Sequence, residues 1–266
     1  MKQSGPLAGT VQQELSEDIM KYISFSLIIA FAVLAGCAHQ KEEFSKRSPD
    51  SIYSQGMKLM KEKSFTDAAS EFKDIEMLFP YSKRAVDGQI MAAYAYYRAK
   101  SYGDALRELD IFEKYHPSHG YIPYAMYLRA MCLYMQISSI GRDSKMAFEA
   151  KIAFIKLVNR FPQSKYHKDC IQKVERLNDL LAAHEMSIAR FYQKNQSALA
   201  AIGRYNYVIA TYPTSKYTAE AYFRIIECCQ SIGLTDEANT AYKSMQQQFK
   251  VNLWSQRASR LISKGN

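Results

Sequence analysis

Apolar positions along this chain recur with the spacing of one face of an α-helix. In four stretches an alanine is followed, after four and seven residues, by large apolar side chains and, after twelve residues, by a proline. The alanine and proline pairs are Ala68 and Pro80, Ala105 and Pro117, Ala150 and Pro162, and Ala201 and Pro213. This spacing predicts amphipathic helices. Each helix should end before its proline, which has no N–H group and clashes with the preceding turn.

Each of these helices should be the second helix of a hairpin, because apolar positions with helical spacing also lie upstream of each one. Successive prolines are 37, 45 and 51 residues apart, and the first interval is close to the tetratricopeptide period of roughly 34 residues. The extra length belongs in loops or longer helices. A fifth copy begins at Ala238 and has Lys250 in place of the proline, which suits a terminal repeat. The pattern predicts an all-α, tetratricopeptide-like helical-hairpin solenoid of about five repeats over residues 51–250, followed by a helical tail over residues 251–266.

The N-terminus has the pattern of an exported lipoprotein. Residues 23–35 are apolar except for two serines, a run that is too short for a membrane-spanning helix of about 20 residues and fits a signal peptide. The run leads into Leu-Ala-Gly-Cys, ending at Cys37, which looks like a bacterial lipobox. We therefore expect residues 1–36 to be a signal peptide with Met20 as the true start, Cys37 to be lipidated, and residues 37–50 to be a flexible linker. Two acyl chains suffice for stable membrane anchoring.

The chain is basic, with 35 Lys and Arg against 26 Asp and Glu and a net charge of +9. Because the cations are scattered, we expect no nucleic acid partner and favour an acidic protein surface or anionic lipid. The cysteines beyond the lipobox stand at apolar helical positions and should be small core residues. A disulfide between Cys132 and Cys170, or between Cys170 and Cys228, stays open in an oxidising compartment.

No catalytic constellation stands out. His116 and His119 flank Pro117, but no Cys, Asp or Glu nearby completes a metal site. A glycine-rich phosphate loop, a Gly-x-Ser-x-Gly elbow and a His-Glu-x-x-His motif are all missing from the sequence. We therefore expect no enzyme activity, no cofactor and no metal.

The chain has more aromatic side chains than the repeat core accounts for, with 20 Tyr and 13 Phe. Tyr94, Tyr96 and Tyr97 cannot all face one core, and neither can Tyr205 and Tyr207. Some of them should therefore line an exposed groove, and exposed tyrosines favour binding of extended peptides.

Several blocks of residues match one family. They are Ile52-Tyr53 in the first repeat, Ala95-Tyr96-Tyr97 in the second, Met126-Tyr127-Leu128-Arg129 in the third and Glu185 to Tyr192 in the fourth. Behind a lipobox and in this order, they resemble the BamD (YfiO/ComL) family of outer-membrane assembly lipoproteins over nearly the whole mature chain. The departures are a shorter third-repeat insertion, Ile137 to Lys145, and the lost proline of the last repeat.

The resemblance implies a non-catalytic scaffold that is lipid-anchored to the bacterial outer membrane and faces the periplasm. Its C-terminal repeats would dock on the barrel-inserting subunit, its N-terminal repeats would receive the C-terminal strand signal of unfolded outer-membrane proteins, and accessory lipoproteins would be further partners. Arg204 matches a family arginine that faces the barrel subunit. The candidate partner contacts are Arg204, Tyr205 and Tyr207, and the candidate substrate contacts are Phe79, Tyr94, Tyr96 and Tyr97.

Other functions are compatible with the same repeats and anchor. A pilus-secretin pilot or a cell-division coordinator would share both but bind different partners. An enzyme that handles a polymer, or its accessory, would need an acid–base pair that we do not find. The 45- and 51-residue intervals and the block from Glu185 to Tyr192 favour the assembly factor, because a generic tandem array would keep its period.

Overall fold

The computed structural model describes residues 47–137 and 144–265, and all regular structure within these ranges is α-helical. The helices are α1 (Pro49–Lys61), α2 (Phe65–Leu78), α3 (Lys83–Arg98), α4 (Tyr102–Tyr115), α5 (Ile122–Met135), α6 (Lys145–Arg160), α7 (His167–Lys194), α8 (Ala198–Thr211), α9 (Thr218–Ser231), α10 (Thr235–Gln248) and α11 (Leu253–Gly265). The predicted all-α fold is confirmed.

The helices are arranged as a solenoid of hairpins. Consecutive helices pair as α1–α2, α3–α4, α5–α6, α7–α8 and α9–α10, and each second helix also packs against the first helix of the next hairpin. Helix α11 packs on α9 and α10 and covers the last hairpin. Each repeat therefore buries its apolar face mainly against its neighbours, as expected of helical repeat proteins. The predicted arrangement of five tetratricopeptide-like repeats is confirmed.

The repeated apolar positions form the core of this solenoid. The alanine and the residues four and seven positions later are fully buried in the first four copies, namely Ala68, Phe72 and Ile75, Ala105, Leu109 and Phe112, Ala150, Phe154 and Leu157, and Ala201, Tyr205 and Val208. In these copies the second helix ends two residues before the proline, as predicted. Helix α10 ends at the corresponding position although Lys250 replaces the proline.

The extra residues of the longest proline interval lie in α7. This helix has 28 residues, whereas its hairpin partner α8 has 14. Near its N-terminus, Asp169 accepts a hydrogen bond from Tyr127 of α5 at 2.8 Å. Near its C-terminus, Gln193 accepts one from Tyr205 of α8 at 2.7 Å. The long helix thus connects the third repeat directly to the fourth.

Two glycines allow close approach of the first three helices. A Cβ atom at Gly56 of α1 would lie 2.6 Å from the ring of Phe72, and one at Gly88 of α3 would lie 2.8 Å from the backbone oxygen of the same residue. Contacts this short are below the range that real Cβ atoms show, so α2 fits between α1 and α3 only because both positions lack a side chain. Among the described residues, no helix is long and apolar enough to cross a membrane.

Candidate binding surfaces

Arg204 lies on α8 and faces α7. Its Nη1 donates a hydrogen bond to Oε2 of Glu185 at 3.0 Å, and its side chain is still 45% exposed while that of Glu185 is 16% exposed. A guanidinium group has five N–H donors in a fixed fork, so the ion pair orients Arg204 and leaves donors directed at solvent.

The predicted partner contact through Tyr205 is wrong. Its side chain is completely buried, and its hydroxyl donates to Oε1 of Gln193 inside the hairpin. Burial raises the pKa of Tyr205, which keeps the phenol neutral. The reason is helical geometry, because Tyr205 stands four residues after Ala201 on the core face of α8. Tyr205 therefore stabilises the repeat and cannot touch a partner.

Tyr207, in contrast to the buried Tyr205, has a side chain that is 47% exposed. Its ring packs edge-on against Tyr212, with 6.2 Å between the ring centroids. On the other side, the ammonium group of Lys151 from α6 lies 5.0 Å from the centroid of the Tyr212 ring. Burial lowers the pKa of Lys151. We call Lys151, Glu185, Arg204, Tyr207 and Tyr212 the α6–α8 surface.

The contribution of α6 to this surface could not be predicted from the sequence. Lys151 directly follows the repeat alanine Ala150, and nothing in that position indicates that an aromatic ring of the next repeat covers its ammonium group. Phe148 and Ile152, on the same helix, are 52% and 50% exposed. Helix α6 therefore presents two half-exposed apolar side chains in addition to Lys151.

The substrate candidates divide into two groups. Tyr94 and Tyr97 on α3 stack with 6.5 Å between ring centroids, and Tyr97 also contacts Tyr102. Phe79 packs against the separate core cluster of the first hairpin, whereas Tyr96 packs against both that cluster and the main core. No ring contact among the described residues joins either of them to the stacked pair, so the structure brings only Tyr94 and Tyr97 of the four candidates together as a ring pair.

The stacked pair continues into a longer row of tyrosines. Tyr124 of α5 lies within electrostatic range of both Tyr94 and Tyr97, and its ring is 5.9 Å from that of Tyr166, just before α7. Tyr127 stacks on Tyr166 with centroids 4.6 Å apart and an angle of 16° between the rings. We call Tyr94, Tyr97, Tyr124, Tyr127 and Tyr166 the tyrosine row. It runs along the first helices of the second to fourth hairpins, and all five side chains are partly exposed.

A hydrogen bond to an ion-paired carboxylate holds one end of the tyrosine row in place. Tyr127 donates to Asp169, whose two oxygens also accept from Nζ of Lys173 at 2.7 Å each. Burial raises the pKa of Asp169, but the hydrogen bonds from Lys173 and Tyr127 more than offset this and lower the pKa below its usual value. Of the row, only Tyr94 and Tyr97 on α3 are predicted substrate contacts from the sequence, because the other members come from separate repeats.

The histidines that flank Pro117 pack on the core rather than around an ion. Their rings lie 6.3 Å apart and both contact Phe112, and Nδ1 of His119 accepts from the backbone N–H of Tyr121 at 3.2 Å. Within residues 47–137 and 144–265, no three His, Cys, Asp or Glu side chains are placed to hold a metal ion. The cysteines in this part of the chain are free and buried, namely Cys132, Cys170, Cys228 and Cys229.

Comparison with known proteins identifies the family. The family model described as "YfiO: Outer membrane lipoprotein" matches residues 45–244. The chain belongs to the YfiO family of outer-membrane lipoproteins. The "Outer membrane protein assembly factor BamD" of Rickettsia prowazekii is 34% identical over 245 residues, which cover 92% of this chain and 97% of that protein. The protein of the same name from Caulobacter vibrioides is 32% identical, covering 91% of this chain and 80% of that protein.

Two solved structures similar to this YfiO-family chain are tetratricopeptide repeat proteins. One from Parabacteroides merdae is 14% identical, covers 95% of this chain and 98% of its own, and has a TM-score of 0.38. TTC0263 from Thermus thermophilus is also 14% identical, covers 81% and 100%, and has a TM-score of 0.35. Because both scores are low, the fold assignment rests on the helices themselves and on the YfiO sequence match.

The family match bears on the sequence predictions. The predicted BamD (YfiO/ComL) family is confirmed, and the α6–α8 surface and the tyrosine row both lie inside the matched residues. The predicted signal peptide, Cys37 and most of the linker lie outside the described residues. Helix α11 lies beyond the end of the YfiO match, which stops within α10.

Proposed function

We propose that this YfiO-family protein is a non-catalytic scaffold of the outer-membrane β-barrel assembly machinery. The observation that carries the proposal is the similarity to the Rickettsia prowazekii assembly factor, which extends over 97% of that protein. A match over nearly the full length of both chains includes all five hairpins rather than one common repeat. The protein would be anchored to the outer membrane through lipidated Cys37, with the solenoid in the periplasm.

The α6–α8 surface is our candidate for docking the barrel-inserting subunit. Arg204 offers charge-assisted hydrogen bonds to a carboxylate, and Tyr207 beside it offers a rigid, partly apolar ring. Arginine and tyrosine are the residue types enriched in protein interfaces. Lys151 adds a second cation on the same surface, so the partner should present acidic side chains. Glu185 would hold Arg204 in position before the partner arrives.

The tyrosine row is our candidate for receiving unfolded outer-membrane proteins. Its members provide several partly exposed rings along successive first helices, at a spacing that an extended peptide can follow. Aromatic pairs contribute about 0.5–1.5 kcal/mol each beyond the area that they bury. Phe79 and Tyr96 remain candidates of lower rank, because neither makes a ring contact with the row among the described residues.

The docking proposal is tested by purifying the full-length lipoprotein from solubilised envelopes and identifying co-purifying proteins by mass spectrometry. We compare the wild type with Arg204→Glu and with a matched control, Arg107→Glu. Arg107 is also an exposed arginine on a second helix and is ion-paired to Asp104, but it lies in the second repeat. We expect the barrel-inserting subunit to be recovered with the wild type and the control and to be reduced with Arg204→Glu. Recovery of pilus or division proteins in its place would reject the assembly function.

The substrate proposal is tested with a photo-crosslinking amino acid at Tyr97 and, as control, at Tyr115, an exposed tyrosine of α4 outside the row. In cells that synthesise outer-membrane proteins, the probe at Tyr97 should capture their unfolded forms and the probe at Tyr115 should not. Equal capture at both positions would contradict a role of the tyrosine row.

A further inference from the structure

The C-terminal end of the chain has an unusual charge distribution. From residue 238 to residue 266 there are five basic side chains, Lys243, Lys250, Arg257, Arg260 and Lys264, and no acidic ones. The whole chain, by contrast, has 26 acidic against 35 basic residues. The last 29 residues therefore contribute +5 of the total charge of +9.

The structure places part of this charge on one exposed stripe. Leu253, Arg257 and Arg260 are separated by four and three residues on α11 and are exposed, whereas Trp254 and Ala258 on the other side pack into the solenoid. Among the described residues, no carboxylate lies within ion-pair distance of Lys250, Arg257 or Arg260. These cations are thus not neutralised by the protein itself.

Two apolar side chains project beside these cations. Val251 is 84% exposed and Leu253 is 59% exposed, and both lie where the chain turns from α10 into α11. Exposed apolar side chains are common one at a time, but these two lie within three residues of each other and next to unpaired cations. We call Lys250, Val251, Leu253, Arg257 and Arg260 the C-terminal tip.

We propose that the C-terminal tip binds an anionic phospholipid surface. Apolar side chains flanked by Lys and Arg are the combination that inserts at a bilayer interface, where the cations attract acidic headgroups. The hot spots of a protein interface would instead cluster in a well-packed pocket. Three described pockets lie elsewhere: a groove of about 570 Å³ between α8, α9 and α10, one of about 290 Å³ at α5 and α6, and one of about 640 Å³ between the start of α8 and the α9–α10 turn. The tip also lies beyond the residues matched by the YfiO family model. A lipid contact here is separate from the subunit docking and the substrate binding that are proposed above.

The single tryptophan of the chain provides a local probe, because Trp254 follows Leu253 directly. The full chain is reconstituted into vesicles of zwitterionic lipid alone or with added anionic phospholipid, each containing a brominated lipid that quenches tryptophan. We expect quenching of Trp254 in the anionic vesicles and little in the zwitterionic ones. Added salt should reduce it, because the attraction to headgroups is screened. This readout differs from recovery of assembly subunits, so it can fail while the assembly function stands.

Two double variants test the residues involved. Arg257→Glu/Arg260→Glu and Val251→Ser/Leu253→Ser should each lose most of the quenching, since all four side chains are exposed and the fold is not expected to change. The matched control is Lys83→Glu/Lys168→Glu, which reverses two exposed lysines in the first turns of α3 and α7, where a glutamate suits the helix dipole. It should be quenched like the wild type.

Three results would overturn the proposal. The first is equal quenching in zwitterionic and anionic vesicles, and the second is unchanged quenching in either tip variant. The third is a photo-crosslinking amino acid at Val251 that captures a protein in intact cells instead of lipid, which would identify an acidic protein as the occupant.

Discussion

Substitutions of Tyr205 distinguish a role in core packing from a role in partner binding, and they give a quantitative prediction. The side chain is fully buried, and its hydroxyl donates at 2.7 Å to Gln193, which is itself partly exposed. Tyr205→Phe removes one hydrogen bond and almost no volume, so it should cost about 1 kcal/mol, because water can reach the amide that is left behind. Tyr205→Ala also leaves a cavity and should cost about 3–5 kcal/mol, as large aromatic truncations do.

Thermal unfolding followed by circular dichroism measures both effects. For a domain of this size, 1 kcal/mol corresponds to a midpoint shift of about 2–4 °C. We therefore expect a small shift for Tyr205→Phe and a several-fold larger one for Tyr205→Ala. Recovery of the barrel-inserting subunit by Tyr205→Phe should equal that of the wild type, because the side chain has no exposed surface. Loss of that recovery at an unchanged midpoint would refute the assignment of Tyr205 to the core.

Three further predictions concern Gly88, two buried cysteines and Asp169. Gly88→Ala should destabilise the protein by about 1–3 kcal/mol in urea unfolding, because its Cβ would lie 2.8 Å from a backbone oxygen of α2. The control Gly103→Ala, whose nearest neighbour would be 3.9 Å away, should not destabilise, and equal effects would contradict the steric argument. Burial raises the pKa of Cys132 to about 12 and that of Cys170 to about 11, so a thiol reagent at neutral pH should label neither until the chain unfolds. Rapid labelling of the native protein would disprove their burial. The pKa of Asp169 is lowered in the folded state, so its ionised form stabilises the protein above the ordinary value of 3.8, and this contribution is lost as the pH falls through the folded-state pKa. Asp169→Asn should therefore be less stable than the wild type near neutral pH, and the difference should shrink in acid; a difference independent of pH would contradict the assignment.

The surfaces show where prediction from sequence stops. Helical spacing could divide the pair Tyr205 and Tyr207 into one buried and one exposed member. The pattern of positions along one helix, however, does not show which elements lie opposite it. Lys151 joins the α6–α8 surface only because the solenoid places α6 beside the end of α8. The tyrosine row likewise combines Tyr97 with Tyr166, which are far apart in the chain.

The sequence by itself determined the helices, their pairing and the family. A period of 3.6 residues places Ala68, Phe72 and Ile75 on one face, and a proline ends each helix, because both effects act between residues close in the chain. The tertiary structure decided what the surface presents. Whether an aromatic side chain is a core residue or part of an exposed row depends on the residues of neighbouring repeats that cover it. Which residues cover it depends on the length of α7 and on how one hairpin packs against the next. Neither can be predicted from the pattern of residues along one helix.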